Sequence, residues 1–157
     1  MSADMTRAQA KLQGWGMGSS EIAAETIEAY CVAHYSVLTP EPFILRVGEA
    51  SDRLADLMAS ERALCAAFIT AWNPFSQIAT GAENSAAQQS LLGDLSALGL
   101  VSFPGFGKDP SGLWPGEDSV LVLGLALEKA RDLGIKYGQN AILWTGLDAC
   151  PELVLLR

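Results

Sequence analysis

Apolar residues recurring three and four apart mark helices, and short apolar or alternating runs mark strands. Ile22, Thr26, Ile27 and Tyr30 fall on one face and predict a helix from about Ser20 to Tyr30, with Glu21 and Glu25 suited to its N-terminal half. Two strand-like stretches follow, Val32 to Leu38 and Phe43 to Val47. Thr39-Pro40-Glu41-Pro42 between them reads as the turn of a hairpin. Ser51 and Asp52 are cap residues for a short helix carrying Leu54, Leu57 and Met58. Leu64 to Trp72 is a nearly unbroken apolar run, which predicts a central strand covered on both faces and stopped by Asn73-Pro74.

Thr80 and Glu83 have capping-box spacing at the head of a helix over 82–98, with Leu91, Leu92, Leu95 and Leu98 as its buried stripe and Gly99 as its stop. Leu100 to Phe103 reads as a strand running into the longest loop of the body, Pro104 to Gly112. Ser119 to Leu123 reads as a strand and Ala126 to Tyr137 as a helix ended by Gly138. Ala141 to Thr145 and Leu153 to Leu156 are the last strands. This mixed order predicts a single compact α+β domain over 19–157: a mostly antiparallel sheet with about four helices packed on it. Residues 1–18, with Gly14, Gly16 and Gly18 around Trp15 and Met17, read as a flexible N-terminal arm.

Composition narrows the functional classes. Of 157 residues, half are hydrophobic and 18% charged, enough to build a core without metal or disulfide staples. The formal charge is −8, and the basic residues are scattered, which argues against a nucleic-acid partner. Cys31, Cys65 and Cys150 are far apart and read as buried thiols in a reducing compartment. The first residues lack a signal-peptide apolar region, and no run approaches the roughly 18 apolar residues of a membrane span, so a cytoplasmic location and no membrane partner are expected.

Recognisable catalytic motifs are missing. Gly107-Lys108 lacks the earlier glycine of a phosphate-binding loop and is followed by Asp109. No GxGxxG or GxSxG motif occurs, and the single histidine, His34, cannot supply the usual zinc sets. Neither cofactor nor metal is expected, and no catalytic residue is identified. Polar residues instead gather in connecting segments: Asn73 and Ser76 after the apolar run, Glu83 and Asn84 in a first helical turn, Trp114 and Glu117 before a strand, and Gln139 before another. Amides and hydroxyls at strand ends facing a helix N-terminus suit a polar or anionic ligand. Each also has a structural reading. Asn73 suits a turn, Glu83 a capping box, Asn84 a helix surface, Trp114 a lid over the core, and Gln139 a strand-end backbone group.

Phe68-Ile69-Thr70-Ala71-Trp72-Asn73-Pro74, then Ser76, then Glu83-Asn84 with Leu91 and Leu95, resembles the core signature of the bacterial DUF3293 family. Trp114, Glu117-Asp118-Ser119 and Tyr137-Gly138-Gln139-Asn140-Ala141 look like the second half of that family, and the resemblance spans roughly residues 25 to 156. It implies a compact bacterial cytoplasmic protein, and it brings no reaction, cofactor or catalytic residue, because the family is a domain of unknown function. The motif positions are Asn73, Ser76, Glu83, Asn84, Trp114, Glu117 and Gln139.

Three readings stay open. The first is a module binding a small polar or anionic ligand at those residues. The second is a protein-interaction or self-assembling domain, a homo-oligomer included, using Trp15, Phe103, Phe106 and Trp114. The third is a hydrolase or lyase with Glu83 or Glu117 as general acid/base, which requires the two carboxylates to share a cleft.

Overall fold

The computed structural model describes residues 20–112 and 115–157. The expected arm with Trp15, and Trp114, lie outside the described residues. The elements run α1 (Ala24–Val32), β1 (His34–Val37), β2 (Phe43–Leu45), α2 (Asp52–Ser60), β3 (Ala66–Ile69), α3 (Gly81–Ala97), β4 (Ser102–Lys108), β5 (Glu117–Leu123), α4 (Leu127–Lys136), β6 (Ala141–Thr145) and β7 (Glu152–Leu155), with a 3-10 turn at Pro74–Ser76. The seven strands form one sheet in the order β2-β1-β4-β5-β3-β6-β7. Every pairing in it is antiparallel. The fold is therefore α+β, with four α-helices among the described residues.

Successive strand residues face opposite sides, so the sheet has two apolar faces. Ala66 and Phe68 of β3, with Leu121 and Leu123 of β5, pack under α1 and α2 through Cys31, Leu54 and Met58. Ala67, Ile69, Val120 and Val122 face the other way, against Leu91 and Leu95 of α3 and Ala130 and Leu133 of α4. All four residues of β3 are buried, as expected of an apolar run covered on both faces.

Local chemistry sets the boundaries. The Ser51 hydroxyl accepts the Leu54 N–H at 3.1 Å and starts α2. At α3 the full capping box forms: Glu83 N–H donates to Thr80 Oγ1 at 3.1 Å, and Thr80 N–H donates to Glu83 Oε1 at 3.2 Å. The inner stripe of α3 differs from the leucine stripe expected. Its buried residues are Asn84, Gln88, Leu91 and Leu95, whereas Leu98 sits at the C-cap, 42% exposed.

The segment read as the longest loop is mostly strand: β4 extends through Lys108 and pairs with both β1 and β5. Pro104 and the glycines look like loop residues, yet each has a place in the ladder. Pro104 falls just beyond the end of β1, where only its carbonyl is used, accepting the Leu38 N–H at 2.8 Å. Gly105 is required by tertiary packing, because a Cβ there would stand 2.7 Å from the Phe68 ring. Conversely, the strand expected over Leu64 to Trp72 shortens to Ala66–Ile69, because side chains take over the backbone bonding after Ile69.

Candidate functional site

Beyond β3 the chain is held by side chains. Trp72 N–H donates to Thr70 Oγ1 at 3.0 Å. Ala71 N–H donates to Gln88 Oε1 at 3.0 Å and Asn73 N–H to Asn84 Oδ1 at 2.8 Å, so two successive turns of α3 satisfy two strand-end donors. Asn84 Nδ2 donates back to Asn73 Oδ1 at 2.8 Å, and Ala79 N–H donates to the same oxygen at 3.0 Å. Asn73 adopts φ 45°, a left-handed conformation that asparagine tolerates better than most side chains. Phe75, at φ 57°, is strained there, and its N–H donates to the Gly138 carbonyl at 2.7 Å. Gly138 has no Cβ to spare, since one would lie 3.0 Å from Pro74 Cβ. This close approach sets the strap of residues 73–79 beside Gln139.

A cavity of about 50 Å³ opens on the α1 side of the sheet at the ends of these strands. Its polar lining is Tyr30, Tyr35, Thr70, Asn73, Glu117, Ser119 and Gln139, over an apolar floor that includes Phe68 and Leu143. Glu117 and Ser119 stand two apart on β5 and so face the same side as Leu121, at the polar end of an otherwise apolar stripe. Burial pushes the Glu117 carboxyl up to about 8, and a hydrogen bond from the Asn73 side chain opposes that rise. At neutral pH the protonated form then predominates, able to donate as well as accept. Tyr35 OH donates to the Tyr30 carbonyl at 2.7 Å, and Asn140 Nδ2 donates to the Tyr30 hydroxyl at 3.2 Å. Burial, with smaller contributions from Cys31, Tyr30, Glu117 and Asp109, holds the Tyr35 phenol far above its usual range.

Asn73, Glu117 and Gln139 thus line one cavity. Asn84 is buried behind it, bound to Asn73, and does not line it. Glu83 lies at the exposed head of α3, where its hydrogen bonds to Thr80 lower its pKa, and it does not share the cavity with Glu117. Ser76 ends the 3-10 turn, and its side chain lies outside the described residues. Gln139 Nε2 donates to the Trp72 and Tyr137 carbonyls, each at 3.2 Å, so it joins the strap to β6 as well as facing the cavity. Sequence reasoning did not single out Tyr30, Tyr35, Thr70 or Ser119 for this site. The period-2 spacing of Ser119 from Glu117 was the one signal available.

The family described as "Protein of unknown function (DUF3293)" matches residues 69–142. Over that stretch the chain is similar to the DUF3293 family. The DUF3293 match begins on the last residue of β3 and ends within β6, so it takes in the strap, α3, β4, β5 and Gln139. It leaves Tyr30 and Tyr35, which complete the cavity from α1 and β1, outside. No curated protein and no solved structure matches the chain. Among the described residues no group of three or more His, Cys, Asp or Glu side chains is placed to hold a metal ion. No helix among them is long and apolar enough to cross a membrane.

Proposed function

We propose that this protein binds a small polar molecule in the Glu117 cavity. The observation that carries the reading is a largely buried carboxyl facing a hollow lined by hydroxyl and amide groups. Buried polar groups normally satisfy one another, and a cavity with several convergent polar groups is the usual form of a small-ligand site. Asn73 of the lining holds a left-handed backbone, and unusual conformations of this kind collect at functional sites. The lining includes no Lys, Arg or His, so a polar ligand is favoured over an anionic one.

A thermal-shift screen of amines, amides, alcohols and carboxylates against the full chain tests this reading. A ligand present at about 100 times its Kd adds about 2.7 kcal/mol to stability. The expected result is a hit whose shift disappears in Glu117→Gln while the fold is retained. Hits that bind Glu117→Gln unchanged would move the site elsewhere.

A second reading, general acid/base catalysis by Glu117, is favoured by the same elevated pKa, which brings a carboxyl near neutral pH. Glu83 does not enter it, because its carboxylate is engaged at the helix cap.

A further inference from the structure

The size of the cavity limits what enters it. About 50 Å³ accepts a head group of a few heavy atoms, so a larger ligand is held by one end with the remainder outside. The lining then selects the head group. Glu117 supplies a carboxyl, and Tyr30, Tyr35 and Phe68 supply aromatic rings. The titratable groups that share the lining with Glu117 are Tyr30 of α1 and Tyr35 of β1, and those acting on Tyr35 are Cys31 and Tyr30 of α1, Glu117 itself and Asp109 just past β4. Each of these is neutral or negative in either protonation state. Lys108, next to Gly107 on β4, is exposed to solvent.

An anion in this setting meets no counter-charge and at least one carboxyl. A neutral group gains hydrogen bonds and leaves Glu117 as it was. A cation gains more, because it turns the cost of burying the carboxylate into an ion pair and meets the negative faces of the rings. We propose that the head group is a protonated primary amine, seated on the Glu117 carboxylate beside the Tyr30, Tyr35 and Phe68 rings. This rests on the cavity being a binding site, as argued above. The donors of an ammonium group can meet the Glu117 carboxylate and Ser119 Oγ, whose own proton goes to the Glu117 carbonyl at 3.1 Å. Binding is coupled to proton loss, since the amine pairs only with the ionised carboxyl.

Methylammonium chloride is the probe, with sodium chloride at equal concentration as the ionic-strength control and acetamide as the neutral comparison. The carboxyl carbon of Glu117 and the resonances of the cavity lining are followed by NMR across pH 5 to 10 in the full chain, uniformly labelled. The expected result is a titration midpoint near 8 in sodium chloride, falling to 7 or below in methylammonium and unmoved by acetamide. Glu117→Gln should lose the methylammonium-induced shifts at Tyr30 and Gln139. Tyr30→Phe, which keeps the ring, should retain them. A midpoint unmoved by methylammonium, with acetamide still shifting the cavity resonances, overturns the amine and leaves a neutral-ligand site. Cavity resonances that respond to neither probe overturn the binding site itself.

Discussion

Two buried polar regions meet at Asn73, and they differ in what lies beside them. On the α3 side, Ala71, Asn73, Asn84 and Gln88 exchange hydrogen bonds of 2.8 to 3.0 Å inside the protein. On the α1 side, Glu117 receives a bond from Asn73, yet burial still raises its pKa to about 8, and it faces a hollow. The first region uses polarity to turn the chain out of the sheet. The second sets a carboxyl of raised pKa against open space. Buried polarity alone therefore does not mark a site; a carboxyl of raised pKa beside a cavity does.

The comparison breaks most sharply at Glu117. Its carboxyl titrates higher in the folded protein than the ordinary value of about 4.3, so the folded state binds the extra proton between those two limits. Stability from this group is present at low pH and is lost as pH rises from about 4.5 through about 8. Glu117→Gln should lack that loss, and relative to the parent it should gain on the order of 4 kcal/mol between pH 4 and pH 9. Urea denaturation of both proteins across that range measures the difference. A flat difference would mean that Glu117 is well solvated.

Asn84→Ala should act in the opposite sense and without pH dependence. It leaves the buried Asn73 N–H without its partner and the Asn73 Oδ1 with only the Ala79 N–H, at a cost of about 3 kcal/mol in denaturant. A cost under 1 kcal/mol at both pH 5 and pH 9 would show that water substitutes for the amide. Thr80→Ala removes only one cap acceptor at an exposed helix end and should cost about 1 kcal/mol in the same measurement.

Much of the architecture was legible because local chemistry and tertiary packing agreed. Thr80 with Glu83, Ser51 and the apolar run of β3 each carried their own signal. The strand β4 was illegible because Pro104, Gly105 and Gly107 are loop residues by composition, and the reason for Gly105 is the ring of Phe68, thirty-seven residues away. The α3 stripe misled for a related reason. Asn84 and Gln88 are buried to serve backbone donors that only the folded strap places there. At the cavity, Asn73, Glu117 and Gln139 stood out as polar residues in connecting segments. Tyr30, Tyr35, Thr70 and Ser119 did not, since each sits within or beside an element and fits its pattern.

The position of β3 also bears on how the chain comes to be made. Its sheet neighbours are β5 and β6, and both follow it in sequence, the nearer one starting at Glu117. As the chain leaves the ribosome, Ala66 to Ile69 emerge well before either partner. At roughly 5–20 residues per second, that apolar strand waits on the order of several seconds with its edges unpaired. Slowed translation through residues 100–140 should therefore raise aggregation of the nascent chain more than slowing elsewhere. A holdase that masks the apolar run over that interval should relieve it.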